Sequence, residues 1–125
     1  MSSGWTGRVR ASRVDDDTAK YFDRVARVRL DPIGSQGALP ESILCEVARE
    51  LWMPEHGSEW RLTMRAGHTE HDAQNAAYCA RGIVGRKDAA FVVISCGGLL
   101  WLAKSAEWAA ATEVEDLVAL IVEPV

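Results

Sequence analysis

Pro40-Glu41-Ser42-Ile43-Leu44-Cys45-Glu46-Val47-Ala48-Arg49-Glu50-Leu51-Trp52-Met53, closed by Pro54, is the stretch on which the fold class turns. Ile43, Leu44, Val47, Ala48, Leu51 and Trp52 recur at helical spacing, with Glu46, Arg49 and Glu50 opposite them. Proline suits a first helical position, and a second one stops the run. The pattern predicts a core-forming helix over 40–53.

Toward the N-terminus, Val9 and Ala11 alternate with Arg8, Arg10 and Ser12, which predicts a strand from Trp5 to Arg13 with one wet face. Ala26, Val28 and Leu30 alternate with Arg27 and Arg29 in the same way, so the two segments read as paired strands. Residues 18–26 also fit a short helix capped by Asp15-Asp16-Asp17, and residues 31–37 carry loop chemistry.

Toward the C-terminus, residues 60–65 read as a half-buried strand running into Thr69-Glu70-His71-Asp72, which resembles a capping box. Ala73, Ala76, Ala77 and Ala80 then form a small-residue stripe that predicts a helix ending near Gly82. Residues 89–95 are apolar throughout and read as a central strand buried on both faces. After Gly97-Gly98, residues 99–103 either pair back as a hairpin or begin a helix to Ala111; two glycines able to take positive φ favour the hairpin. Thr112-Glu113-Val114-Glu115 is expected to cap a final helix to about Val122. The order β-β-α-β-α-β-β-α predicts an α+β fold, a mostly antiparallel sheet of about five strands with helices packed on it.

With 125 residues, 48% hydrophobic and 26% charged, the chain is expected to form one globular domain. Cys45, Cys79 and Cys96 are odd in number, far apart and set in apolar sequence, which suits buried thiols in a reducing compartment. No apolar run reaches the roughly 18 residues of a membrane span, and residues 1–5 lack the pattern of a signal peptide. The expectation is a cytoplasmic protein with no membrane association. A net charge of −4 argues against general nucleic-acid binding. The charge is uneven, because residues 1–32 hold seven basic side chains against five acidic ones, while from Ser105 onward there are five acidic and no basic residues.

His68, His71 and Asp72 form the densest polar cluster, at a strand-to-helix junction where folds often place chemistry. They could serve a small metal-dependent hydrolase, the alternative reading. His-x-x-His lacks the base-bearing spacing of a zinc protease, however, and His56 stands at the far end of an extended strand. No bound metal and no cofactor are therefore expected. Gly82-Ile83-Val84-Gly85-Arg86-Lys87 lacks the spacing of a phosphate loop and reads as a helix end and turn.

Residues 117–122 have no polar side chain on any face, which a terminal helix of a monomer should not allow. Leu117, Leu120 and Ile121, helped by Trp108, are thus expected to meet a partner. Arg8, Arg10, Arg27 and Arg29 should share one side of neighbouring strands and meet carboxylates, either Glu46 and Glu50 or those of a partner. The sequence accordingly predicts a non-catalytic interaction module, an assembly, adaptor or regulatory subunit working with a protein partner or by self-association as a homo-oligomer. Nucleic-acid binding through the arginine face is the third reading.

Overall fold

A computed structural model describes residues 4–14, 25–34, 40–67 and 76–125. They form eight strands: β1 Gly4–Arg13, β2 Val25–Pro32, β3 Ser42–Ala48, β4 Glu59–Ala66, β5 Tyr78–Lys87, β6 Phe91–Cys96, β7 Leu99–Lys104 and β8 Leu117–Pro124. One short helix, α1, spans Ala106–Ala111. Every strand pairs antiparallel on both sides, closing a barrel in the order β1-β2-β3-β7-β6-β5-β8-β4. The α+β expectation is therefore overturned, and with it all three predicted helices as far as they are described.

The errors share a cause. Ile43, Cys45 and Val47 point into the barrel while Leu44 points out, so residues 42–48 obey a period of two that the accidental helical stripe of Leu44, Ala48, Leu51 and Trp52 conceals. In β5 Tyr78, Ala80, Gly82 and Val84 face inward and alternate with exposed neighbours, where a small-residue helix had been expected. The capping box at Thr69 to Asp72 lies outside the described residues. Thr112 does not open a helix: its N–H and hydroxyl both donate to the Trp108 carbonyl, at 3.1 and 2.8 Å, and end α1. Residues 117–122 then extend as strand, and the strand at 91–96 is buried along one face only. The hairpin expectation for Gly97-Gly98 agrees with the structure, with φ of +61° and +96°, and α1 follows β7.

The order of strands divides into two like halves. Reading 4-1-2-3 and then 8-5-6-7, each half is a Greek key in which three sequential strands are followed by a fourth that returns beside the first. The halves join through β3 with β7 and through β4 with β8. No repeat is visible in the sequence; the repetition is one of topology. Because β3 and β7 are antiparallel, their onward connections leave from opposite ends of the barrel. Residues 49–58 close one end and residues 105–116, including α1, close the other.

Each closing segment drives a tryptophan into the core. Trp52 stacks on Tyr78 at 5.6 Å and meets Trp60 edge-on at 5.4 Å. Trp108 is buried on the second turn side of α1, which Ser105 caps by accepting the Trp108 N–H at 3.1 Å. Between them Trp101 sits fully buried beside Cys45 and Ile94, its register partners on the two flanking strands. Leu30, Ile43, Leu62, Met64, Ile94 and Leu120 fill the remaining interior. Eight strands enclose about the space that side chains can fill.

Candidate functional site

The outer surface carries the exposed chemistry, and its two sides differ. On β1, β2 and β4 it is ionic. Arg8 donates to Glu59 at 2.9 Å, Arg10 lies 3.6 Å from the same carboxylate, and Arg29 pairs with Asp31 at 2.9 Å. Arg27 stands opposite Glu46 in the β2–β3 register, while the Glu46 carboxylate accepts the Leu100 N–H at 2.9 Å. The four arginines thus do share the outside of adjacent strands, and the carboxylates that Arg8, Arg10 and Arg29 meet are Glu59 and Asp31. All of these pairs are solvent-exposed, so each contributes about 0–1 kcal/mol.

On β3, β7, β6 and β5 the outside carries an apolar patch set among Ser42, Glu46, Ser95, Lys104, Arg81 and Arg86. Leu44, Leu102 and Val93 follow one another directly in register, and Leu100, Ser95 and Ile83 form the next line. Leu44 remains 38% exposed, Leu100 47% and Ile83 46%, and Leu117, paired with Ile83, 47%. A recess of about 260 Å³ lies in this wall, lined by Arg86, Lys87, Asp88, Phe91, Val93 and Leu102. Its polar rim is partly committed to the fold. Lys87 Nζ donates to the Ala109 carbonyl at 2.9 Å and to the Thr112 carbonyl, holding the C-terminal end of α1. Asp88 Oδ1 accepts the N–H groups of Ala90 and Phe91, both at 2.8 Å, which turns β5 into β6 and holds this carboxyl below the usual range. Arg86 makes no ion pair among the described residues.

Of the residues expected to meet a partner, Trp108, Leu120 and Ile121 are buried within a single copy of the chain. Leu120 faces the core, and the premise that a monomer would leave it wet does not hold. Ile121 points outward beside Thr63 and Cys79 yet is also buried, as is Ala119. Gly67 and Ala77 bond to Leu117 and Val122, so the connection from β4 to β5 begins at one end of β8 and finishes at the other. Leu117 alone of the four is at the surface. His68, His71 and Asp72 lie outside the described residues, among which no three His, Cys, Asp or Glu side chains gather as metal ligands.

The thiols occupy three environments. Cys45 is buried and donates to the Val28 carbonyl at 3.3 Å, and burial pushes it well above the ordinary thiol range. Cys96 is half-buried against Gly82, and desolvation pushes it up to about 11. Cys79 is exposed. Desolvation thus holds Cys45 and Cys96 away from the lowered pKa of a reactive thiolate.

Sequence reasoning missed the apolar wall. Leu44 reads as part of a core-facing helical stripe, Leu100 as part of a hairpin or helix and Ile83 as part of a helix end and turn, and only the register of distant strands puts the three outside together. No protein-family model matches the chain, and no curated protein matches it. Among the described residues no helix is long and apolar enough to cross a membrane.

Proposed function

We propose that this protein is a non-catalytic interaction module that docks a protein partner on the outer wall of β3, β7, β6 and β5. One observation carries the reading. Leu44, Leu100, Ile83 and Leu117 stay 38–47% exposed on the outside of strands, with Ser95 between Leu100 and Ile83, whereas the other exposed large apolar residues described, Val14, Leu51, Val114 and Val125, lie beyond the strand ends. Contiguous apolar surface on a small barrel weakens solubility, and proteins retain it where something binds. A closed barrel has no free strand edge, so a partner has to dock on the face of the sheet.

The reading is tested by site-specific photo-crosslinking in the cells that make the protein, with the crosslinker at Leu100 or, on the ionic side, at Ser12. Adducts from Leu100 and not from Ser12, abolished by Leu102→Asp in a chain of unchanged thermal stability, are the expected result. Adducts that arise equally from both sides, or that survive Leu102→Asp, would overturn it.

A further inference from the structure

We propose that the segment received by this wall is an amphipathic helix whose apolar stripe is flanked by carboxylates, an inference that rests on the docking role of the wall. Arg29, Leu44, Leu102, Val93 and Arg86 occupy one unbroken line of cross-strand register from β2 to β5. All five point outward. The apolar centre crosses three strands, about 10 Å, close to the roughly 10–12 Å width of a helix. The two arginine positions stand about 19 Å apart along the curved sheet, one beyond each side of that stripe. Arg27 and Arg81 repeat the same sign on the same two flanks, both exposed.

A helix lying along the strands would find Leu44, Leu100, Leu102 and Val93 beneath its middle, Glu46, Ser95 and Lys104 at the next outward positions, and the Arg29 and Arg86 guanidinium groups on either side. Arg86 makes no ion pair among the described residues. Arg29 would only have to share an exposed pair with Asp31, which costs little. The recess at Phe91, Val93 and Leu102 offers one larger side chain of the helix a place to seat. Guanidinium groups favour carboxylates because their paired donors match both oxygens. A lipid surface fits less well, since its interfacial anchors are Trp and Tyr. Among the described side chains Trp52, Tyr78, Trp101 and Trp108 are buried, and Trp60 Nε1 is bonded to Ser58 Oγ at 2.8 Å.

The test uses two synthetic helical peptides of about five turns with the same Leu/Ile stripe, one flanked by Glu and one by Lys, and anionic phospholipid vesicles. Binding is followed by anisotropy and mapped by amide NMR shifts. The Glu peptide should shift Leu44, Leu100, Leu102 and Val93 and bind about tenfold tighter than the Lys peptide, as two or three exposed ion pairs allow. The gap should narrow at about 0.5 M salt. Arg29→Glu with Arg86→Glu should reverse the preference, and Arg86→Gln alone should halve it logarithmically if the double variant folds poorly. Equal shifts of the wall by both peptides would overturn the charge inference and leave the docking role standing. Shifts confined to other faces would overturn both. Vesicle binding that Leu102→Asp abolishes, without discrimination between the peptides, would replace the helix by a membrane.

Discussion

Trp52 and Trp108 hold equivalent places in the two Greek keys, each four residues beyond the end of its strand, Ala48 in one case and Lys104 in the other. Each is buried and plugs its own end of the barrel. Likewise Cys45 and Trp101 stand three residues before those same strand ends, and they face each other across the β3–β7 seam. The barrel thus behaves as two like halves meeting about an axis through that pair and through the opposite β4–β8 seam.

Truncation of either plug should be costly and similar in size. Trp52→Ala and Trp108→Ala are each expected to lower unfolding free energy by about 3–5 kcal/mol in urea titrations. The Nε1 atoms of Trp52, Trp101 and Trp108 have no hydrogen-bond partner among the described residues. Phenylalanine at position 52 or 108 removes a buried unsatisfied donor along with some volume, so it should cost clearly less than alanine. Equal losses for Phe and Ala would show that the indole N–H is satisfied after all.

Gly82 is a matter of space. A Cβ there would lie 2.6 Å from Cys96 Sγ, 2.6 Å from the Ser95 carbonyl oxygen and 2.7 Å from Ile94 Cγ2. Gly82→Ala should therefore destabilise by about 2–3 kcal/mol. In a Cys96→Ala background most of that loss should persist, because the Ser95 oxygen belongs to the backbone. Full rescue by Cys96→Ala would place the clash on sulfur alone.

Alkaline pH should weaken the fold as the buried thiols are forced to ionise. Cys96 rises to about 11 and Cys45 is also raised, so the native state holds these protons more tightly than the unfolded chain. Their contribution is intact below the ordinary thiol value, near 8.5, and is lost as pH climbs through about 11. The urea midpoint should fall over that window, and less so in Cys96→Ala. Asp88 has the opposite sign: its lowered pKa gives a contribution present above the ordinary carboxylate value and lost as pH falls. Asp88→Asn should flatten the acid side of the profile.

Thiol chemistry should separate the three cysteines in time. Cys79 is exposed and is expected to react promptly with a disulfide reagent, Cys96 more slowly, and Cys45 only on unfolding. Simultaneous labelling of Cys45 and Cys79 in the folded protein would contradict the burial of β3.

What the sequence displayed was the strands on which charged side chains alternate with apolar ones. Arg8 and Arg10 against Val9 and Ala11, and Arg27 and Arg29 against Val28 and Leu30, mark β1 and β2 locally. Strands with aliphatic residues outside gave no such mark. Leu44 on β3 completed a false helical stripe with residues beyond the strand, and buried Ala119 and Ile121 erased the alternation of β8. Closure itself is non-local: Arg8 meets Glu59 across 51 positions of sequence, and Leu44 meets Leu102 across a seam no short window contains. The arginine face was legible because charge alternation is local, whereas the apolar wall needed the register of four strands.

β8 inserts between β4 and β5, and through them it is the last piece to seal the ring. During synthesis the first key can assemble as soon as β4 leaves the ribosome, yet β3 and β4 then present unpaired backbone. That unzipped state lasts until β7 and β8 emerge, and Pro124 pairs with Trp60 only at the close. A nascent chain stalled before residue 117 would accordingly carry two sticky margins, and the protein's vulnerability to aggregation belongs to its birth rather than to its finished form.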